Sequence, residues 1–458
     1  MQALLYKWLF VLVFLFSGMS FVSIEAANVF LGLSTLIFLI LLFKNKGINF
    51  FNEGKSYLKV IAVFAGALLV SALCSGNVVQ GLKTWADFFV WRLMPFFIIL
   101  SIFVIKEKVN KILMSVIFGF IVTSLYVIYK GIFILEGNIS YGGASGFVGH
   151  SMAYAGLSCI LLPVLYVFLF KENIDNKLRL FYGIAFVIGS IASFFNATRG
   201  AWIALAIVLL IESIVLAFKN KKIVLLFASI VLVGIMILVG NQSFVKRVSS
   251  IGDFKSTSIE ARLIMWDTAF TMFKKQPVLG VGLGNYKAVY QDEYIKPQLE
   301  EKRNAMRNLP GFDKLDGSEQ ELILISQANI WDIKGLKNLK QVDRRKIRSE
   351  YEKLAMPNLL AKLNHAHSNI FQMLAENGII GLLGYLLTFG AIIWTNIKNY
   401  FINKNPHNLM IIGSTIALFL QGLTEYNFGN SSVMKIYWLI LACLVVLVKE
   451  YNEEKLRE

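Results

Sequence analysis

Charged residues are scarce in this sequence. They make up 16% of its 458 residues, against 56% hydrophobic ones, and the mean hydropathy is +0.62. A soluble domain carries roughly a quarter charged residues. Apolar runs of about 18–20 residues recur along most of the chain, and each is long enough to cross a bilayer as a helix. The alternating strands of about ten residues that build membrane β-barrels are missing. The sequence therefore predicts an all-α polytopic membrane protein.

Cysteine and histidine are also few. The cysteines are Cys74, Cys159 and Cys443, all within or at the ends of apolar runs. They form no CxxC motif, which excludes a disulfide framework. Two of the four histidines lie in His365-Ala366-His367, which alone is a weak zinc signal. The sequence therefore predicts neither a metal nor a cofactor.

The formal net charge of +16 does not indicate a nucleic-acid partner. Most of the excess lies in short connections between apolar runs, where the positive-inside rule accounts for it. The predicted partners are membrane lipid and a lipid-linked substrate, with no nucleic acid.

About twelve spans are predicted, and one long polar segment separates the ninth from the tenth. This organisation divides the chain into a bundle of nine spans at 1–240, a loop domain at 241–368, and three spans with a tail at 369–458. The spans lie near 8–24, 28–43, 57–74, 88–105, 112–134, 152–170, 180–196, 200–218, 223–240, 369–395, 409–424 and 433–448.

Lysine and arginine concentrate in alternate connections. One set of connections holds Lys7, Lys44, Lys46, Lys55, Lys59, Lys106, Lys108, Lys111, Lys171, Lys177, Arg179, Lys219, Lys221, Lys222, Lys398, Lys404, Lys449, Lys455 and Arg457. The short connections on the other side hold only Lys83, Arg199 and Lys435. Both termini are therefore predicted to be cytoplasmic and the loop domain extracytoplasmic. An enzyme acting there has no nucleotide-sugar pool, so its donor must arrive already activated, most plausibly on a lipid.

The loop domain begins with a helix signal. Thr257-Ser258-Ile259-Glu260 is a capping box. The helix is predicted to lie along the membrane surface or to cap the bundle, with one apolar face formed by Ile259, Leu263, Trp266, Phe270 and Phe273. Pro277 ends the pattern, Gly280 to Gly284 predict a flexible turn, and about 290–360 predicts short charged helices.

Two arginines are candidates for binding phosphate. Arg199 lies between two apolar runs, where a guanidinium is costly unless it snorkels or has an anionic partner. Arg262 lies one turn before Trp266, at the edge of the predicted apolar face. Each also has a structural interpretation, as a topology-related arginine or as the polar side of an amphipathic helix. Their predicted location on the same membrane side favours a two-pronged grip on a phosphate.

Histidine and carboxylate candidates lie on the same side. His365 and His367 precede the tenth span, and a neutral imidazole can take a proton near pH 7. The alternative is that these histidines only form local hydrogen bonds. Glu376 and Glu425 lie near outer helix ends and are candidates for orienting a base or binding sugar hydroxyls. Lys83, Asp87 and Arg92 are expected to pair with one another or to extend the anion site.

Three blocks together resemble the O-antigen ligase and polymerase superfamily of bacterial envelope enzymes. They are NATRGAWIAL, RLIMWDTAFTMFKKQPVLGVGLGNY and HAHSNIFQMLAENGIIGLLGYL, in that order, with a large outer loop between the last two. The resemblance is specific over about 190–290 and 363–390 and extends to the twelve-span layout.

The resemblance implies a GT-C type membrane glycosyltransferase in the bacterial inner membrane, with its site on the periplasmic face. Its donor would be a glycan on undecaprenyl diphosphate, its acceptor a sugar of the lipid A core, and its reaction metal-independent and inverting. Arg199 matches the family arginine of the RGA block, Arg262 that of the R-x-x-x-W block, and His367 the histidine before the S/N-N segment. The resemblance implies that the arginines bind diphosphate and that His367 acts as general base. His365, Lys83, Arg92 and Glu425 are possible supporting residues.

Two other functions stay open on sequence alone. A polymerase of the same superfamily would extend the glycan on its lipid carrier. A transporter of lipid-linked sugars belongs to another class, in which related halves and broken helices near the midplane are common.

Overall fold

The computed structural model describes residues 2–44, 54–103, 105–139, 143–172, 174–218, 242–249, 257–325, 333–360 and 363–457. All regular structure within these ranges is helical. The helices before the loop domain are α1 (Gln2–Met19), α2 (Ile24–Lys44), α3 (Lys55–Leu73), α4 (Val78–Ala86), α5 (Met94–Ile102), α6 (Lys106–Tyr129), α7 (Ser151–Phe170), α8 (Asn176–Asn196) and α9 (Arg199–Ala217). Those that follow are α10 (Gln242–Ser249), α11 (Thr257–Lys275), α12 (Tyr286–Val289), α13 (Lys296–Arg307), α14 (Gly317–Leu324), α15 (Gln341–Leu360), α16 (Asn369–Asn403), α17 (Pro406–Gln421) and α18 (Ser431–Arg457).

Ten helical segments of the described chain are long and apolar enough to cross a membrane. This confirms a polytopic helical membrane protein. The predicted span at 409–424 corresponds to α17, whose 16 residues fall short of such a segment. The predicted span at 223–240 lies outside the described residues. The figure of twelve spans and the GT-C type fold stay predictions.

The helices α7 and α18 form the centre of the bundle. Within the apolar stretches of these two helices, 89% and 83% of the residues are buried, against 22–56% in the other candidate spans. The sequence of α7 has no polar face that would be stable in water. Ala155, Leu161 and Val164 lie on different sides of this helix, and all three are buried. A helix that is apolar all round is stable only inside a bundle. The peripheral helices present Leu and Phe outward, as lipid-facing surfaces require.

Gly378 interrupts α16 where the loop domain meets the bundle. Its φ of 59° and ψ of −157° are not helical, although the chain is helical on both sides of it. Ile379 donates its backbone N–H to the carbonyl of Pro277 at 2.9 Å. A Cβ at Gly378 would overlap the Val278 backbone, so only glycine permits this approach. The break therefore docks the segment after α11 against α16.

The helix α11 begins at Thr257, as the capping box predicted. Its fully buried residues include Met265, Ala269 and Met272, whereas Leu263 and Phe270 of the predicted apolar face are 45% and 40% exposed. Small alanines and flexible methionines allow the buried side of α11 to pack closely against α16. Trp266 is the member of the predicted face that packs inward, stacked on Phe371 at 5.0 Å between ring centroids.

The rest of the described loop domain is helical, as predicted, but its helices are not all short: α13 and α14 have 12 and 8 residues, whereas α15 has 20. A separate small core of Met306, Phe312, Ile323, Leu336 and Ile347 holds α13, α14 and α15 together. Surface ion pairs such as Lys296–Asp292 and Lys353–Glu350 lie on its outside.

Candidate active site

A polar cleft of about 900 Å³ opens where the loop domain meets the helix ends. It is lined by the start of α7, the end of α4, the segment before α16 and the turn before α18. Its polar lining includes Lys83, Asp87, Arg92, His150, His365, His367, Glu376 and Glu425. These residues come from five separate stretches of sequence. Their convergence makes the cleft the candidate site.

His367 and Glu425 form a hydrogen-bonded pair in this cleft. The His367 Nδ1 lies 3.0 Å from the Glu425 Oε2. Burial raises the pKa of Glu425, but the hydrogen bond from His367 and the charges of His367, His365 and Arg262 outweigh it and hold the pKa below its usual range. The ionised carboxylate therefore accepts the Nδ1–H, which leaves Nε2 as the basic atom. A carboxylate-oriented histidine is the arrangement used for general-base catalysis.

Local backbone geometry fixes the position of His367. Its φ is +47°, a left-handed conformation that costs energy in a residue other than glycine. Its N–H contacts the Nδ1 of His365 at 3.2 Å. The preceding Ala366 is held from both sides: its carbonyl accepts the Trp266 Nε1–H at 2.9 Å, and its N–H donates to Gln372 at 2.7 Å. The backbone next to His367 is therefore held by hydrogen bonds to both α11 and α16.

A buried amide network links the loop of His367 to the loop of Glu425. Asn369 donates to Asn427 at 2.7 Å and to Tyr385 at 2.8 Å. Its side-chain oxygen accepts the Phe428 N–H at 3.1 Å, and its own N–H donates to the Gly422 carbonyl at 2.8 Å. Satisfied networks of this kind rigidify the groups that they join. Asn369 and Asn427 thus hold the loop of His367 against the loop of Glu425.

The predicted arginines are not among the residues that line the cleft. Burial lowers the pKa of Arg262, Glu425 opposes this effect, and Arg199 adds to it. Arg262 is therefore close enough to both Glu425 and Arg199 to interact with each electrostatically. Arg199 is the first residue of α9. It follows Ala197, whose backbone is left-handed, and Thr198, whose backbone is extended. A Cβ at the next residue, Gly200, would overlap the Thr424 hydroxyl, which brings the start of α9 against the Glu425 loop.

The structure separates the roles of the predicted supporting residues. Arg92 is buried, ion-paired to Asp87, and donates to the Phe428 carbonyl at 2.6 Å, so its guanidinium is committed to structure rather than to an anion. Lys83 is exposed in the cleft and forms no ion pair with a described residue. The sequence predicted that Lys83, Asp87 and Arg92 pair with one another or extend the anion site. Asp87 and Arg92 do pair, and Lys83 stays available to bind an anion.

Glu376 supports the glycine-rich turn instead of the histidine. Its carboxylate accepts the Tyr286 N–H at 3.1 Å. Val281 and Gly282 donate to the α16 carbonyls of Ala375 and Glu376 at 2.8 and 2.9 Å. The predicted flexible turn is thus tied to α16 by backbone hydrogen bonds, and its three glycines all have positive φ.

His365, His367 and Glu425 also form a group with metal-ligand chemistry. Their ligand atoms all lie within 4.8 Å of one another. The sequence did not reveal this group because Glu425 is 58 positions from His367. However, the His367 Nδ1 is engaged by Glu425, and the nearby guanidinium of Arg262 repels a dication.

His365 predicts a pH dependence of stability. Burial and the charges of His367 and His150 lower its pKa to about 4, while Glu425 opposes this effect. Between pH 6.5 and 4 the unfolded chain binds a proton at His365 that the folded chain does not, so stability falls as the pH falls. We expect the melting temperature in detergent to drop by several degrees over this window. The drop should be smaller for His365→Gln, and identical pH profiles for both proteins would contradict this account.

Sequence reasoning missed Asn369, Asn427 and the Trp266–Ala366 contact. The first two stand in the sequences HSNIF and EYNFGN, where amides next to apolar helices are the available signal. Nothing local indicates that they meet, since they are 58 residues apart.

Comparisons with known proteins agree with this region of the chain. Residues 184–306 match the family model described as O-Antigen ligase. This match covers Arg199 and Arg262 and confirms the predicted resemblance to the O-antigen ligase superfamily. An uncharacterized protein of Haemophilus influenzae is 28% identical over 161 residues, which is 32% of this chain. The chain spans 38% of that relative's length.

Proposed function

We propose that this protein is an O-antigen ligase of the bacterial inner membrane, acting on its periplasmic face. It transfers a glycan from undecaprenyl diphosphate to a sugar of the lipid A core, in lipopolysaccharide biosynthesis. The observation that carries the proposal is the His367–Glu425 pair in a cleft of about 900 Å³, with Arg262 close enough to interact with both Glu425 and Arg199. The superfamily match supports the same class of chemistry.

In the proposed reaction the His367 Nε2 removes the proton of an acceptor hydroxyl. The resulting oxygen attacks the anomeric carbon of the donor from the face opposite the leaving group, which inverts that carbon. The bond from that carbon to the diphosphate oxygen breaks, and its electron pair leaves on the diphosphate. Arg199 and Arg262 stabilise the developing charge, which is often the largest single catalytic contribution. The proton on His367 then passes to water, and Glu425 stabilises the imidazolium until it does.

Lys83 gives the cleft a further positive charge for the donor. The proposal needs no metal, because two guanidinium groups and a lysine supply the positive charge that a cation would supply at a diphosphate. The two alternatives from the sequence predict other outcomes. A polymerase would place the new bond on a second lipid-linked glycan, and a transporter would form no bond.

An assay with the purified full chain tests the proposal. The donor is a glycan on undecaprenyl diphosphate, offered with either lipid A core or a second lipid-linked glycan, and products are resolved by mass spectrometry. We expect transfer to lipid A core, unchanged by EDTA. Extension of the lipid-linked glycan would assign the polymerase function instead. Movement of donor across vesicles without bond formation would support the transporter.

A further inference from the structure

A second cleft lies at the opposite end of the helix bundle. Its volume is about 290 Å³, near the lower end of the roughly 300–1,000 Å³ typical of small-ligand pockets. The helix α7 begins at Ser151 in the candidate active site and ends at Phe170 in this second cleft. Twenty helical residues span about 30 Å, so the two sites are about a bilayer core apart. The second cleft lies among the lysine-rich connections that the charge pattern predicts to be cytoplasmic.

The lining of this cleft is rich in positive charge. It contains four lysines, one histidine and two glutamates, namely Lys106, Lys171, Lys404, Lys455, His407 and, as carboxylates, Glu172 and Glu454. Lys106 is ion-paired with Glu454. Lysines outnumber carboxylates, so the cleft attracts an anion.

A hydrogen-bonded chain positions one of these ammonium groups. The buried Asn405 accepts from the His407 backbone N–H and lies 3.0 Å from its Nδ1, so the ring donates from Nδ1 and accepts at Nε2. Lys171 Nζ lies 3.1 Å from that Nε2 and donates to it. His407 is 2% exposed, and Asn405 is anchored to the Val448 carbonyl at 3.0 Å. A neutral ring, instead of a carboxylate, is thus the group that holds the Lys171 ammonium in place.

The charge of Lys171 is consequently sensitive to its surroundings. Burial and the neighbouring Lys106 lower its pKa to about 8, while Glu454 opposes this effect. The ammonium form still prevails at pH 7, and an anion in the cleft would stabilise it. Lys404 lies in a left-handed conformation, with φ of 54°, at the end of α16. Its ammonium lies over the ring of Phe401 at 4.9 Å.

The deeper wall of the cleft is apolar. Val167, Leu216, Leu409 and Leu447 form it, and all four belong to helix segments that lie toward the bundle. A cationic rim above an apolar wall between helix ends is the arrangement that binds the phosphate of a membrane lipid. The chemistry shared by every fitting ligand is a phosphate group.

We propose that this cleft binds the phosphate group of an anionic phospholipid, with Lys171 and Lys404 as its main contacts. His407 and Asn405 position Lys171, and the apolar wall takes the start of an acyl chain. This lipid site takes no part in the transfer reaction, so the experiment that tests it does not depend on the proposed function.

Native mass spectrometry of the full chain in detergent tests this site. The probes are phosphatidylglycerol, the zwitterionic phosphatidylcholine, and inorganic phosphate as a competitor. Three variants are compared: the double variant Lys171→Gln with Lys404→Gln, the charge-preserving Lys171→Arg, and Lys398→Gln. Lys398 is an exposed lysine of α16 that does not line the cleft, which makes it the matched control.

We expect phosphatidylglycerol to bind the double variant roughly tenfold more weakly, since each lysine near an anionic group contributes substantially to lipid binding. Lys171→Arg and Lys398→Gln should bind like the wild type, which shows that the fold is intact. Equal affinity in all four proteins, or equal binding of phosphatidylcholine, would overturn the proposal. Displacement of the lipid by millimolar phosphate would support a phosphate site and assign it to a soluble ligand.

Discussion

Replacing His367 by alanine should reduce glycan transfer by about 10²–10⁴-fold, the range expected when a general base is removed. The loss should appear in kcat, because the base acts on the acceptor hydroxyl in the reacting complex. Binding of the lipid-linked donor should change little. The measurement is the initial transfer rate of purified protein at saturating donor and acceptor.

Glu425→Gln provides an intermediate test of the same pair. The amide cannot stabilise an imidazolium as the carboxylate does, so transfer should fall, but less than in His367→Ala. His150→Ala is the control, since His150 is an exposed histidine of the same cleft whose ring forms no hydrogen bond to a described residue.

One result would contradict the assignment of His367 as the general base. If His367→Ala is inserted into the membrane, elutes as the wild type does and transfers glycan at an unchanged rate, His367 is not the base. A loss that is equal in His150→Ala would indicate damage to the cleft rather than the removal of a base.

The sequence predicted the helical class more reliably than it predicted which side chains become hydrogen-bond partners. Long apolar runs define spanning helices by themselves, because an unsatisfied backbone cannot cross a bilayer. Glu425 was only one of several carboxylates near helix ends, and its contact with His367 depends on α17 and α18 folding back beside α16. Such long-range pairing leaves no periodic signal in the chain.

Arg92 and α11 illustrate two further limits. An arginine at a membrane edge needs an anion, but the sequence does not state whether that anion is a ligand or a neighbour such as Asp87. The apolar face of α11 does not indicate which side of the helix contacts α16, because large apolar residues face lipid as readily as they face a protein core. In a membrane protein, small residues such as Ala269 are the better indicator of helix contact.

Substituting Arg199 or Arg262 should also reduce glycan transfer strongly. Arg262 carries a half-buried guanidinium group, close enough to the Arg199 guanidinium and to Glu425 to interact electrostatically with each. Two such groups are stable together when an anion binds both, as a diphosphate would. Lysine keeps the charge but loses the planar fork that grips two phosphate oxygens. We expect Arg199→Lys and Arg262→Lys each to lower kcat/KM for the donor by about 10²-fold or more.

The double variant separates a shared ligand from two independent roles. If both arginines hold one diphosphate, the loss in Arg199→Lys with Arg262→Lys should be clearly smaller than the product of the single losses, because residues that act as a unit are not additive. Arg303→Lys is the matched control, since Arg303 pairs with Glu300 in the loop domain outside the cleft. An unchanged KM and kcat for the donor in both single variants would remove the arginines from the site. Strictly multiplicative losses would place them on different groups of the substrate.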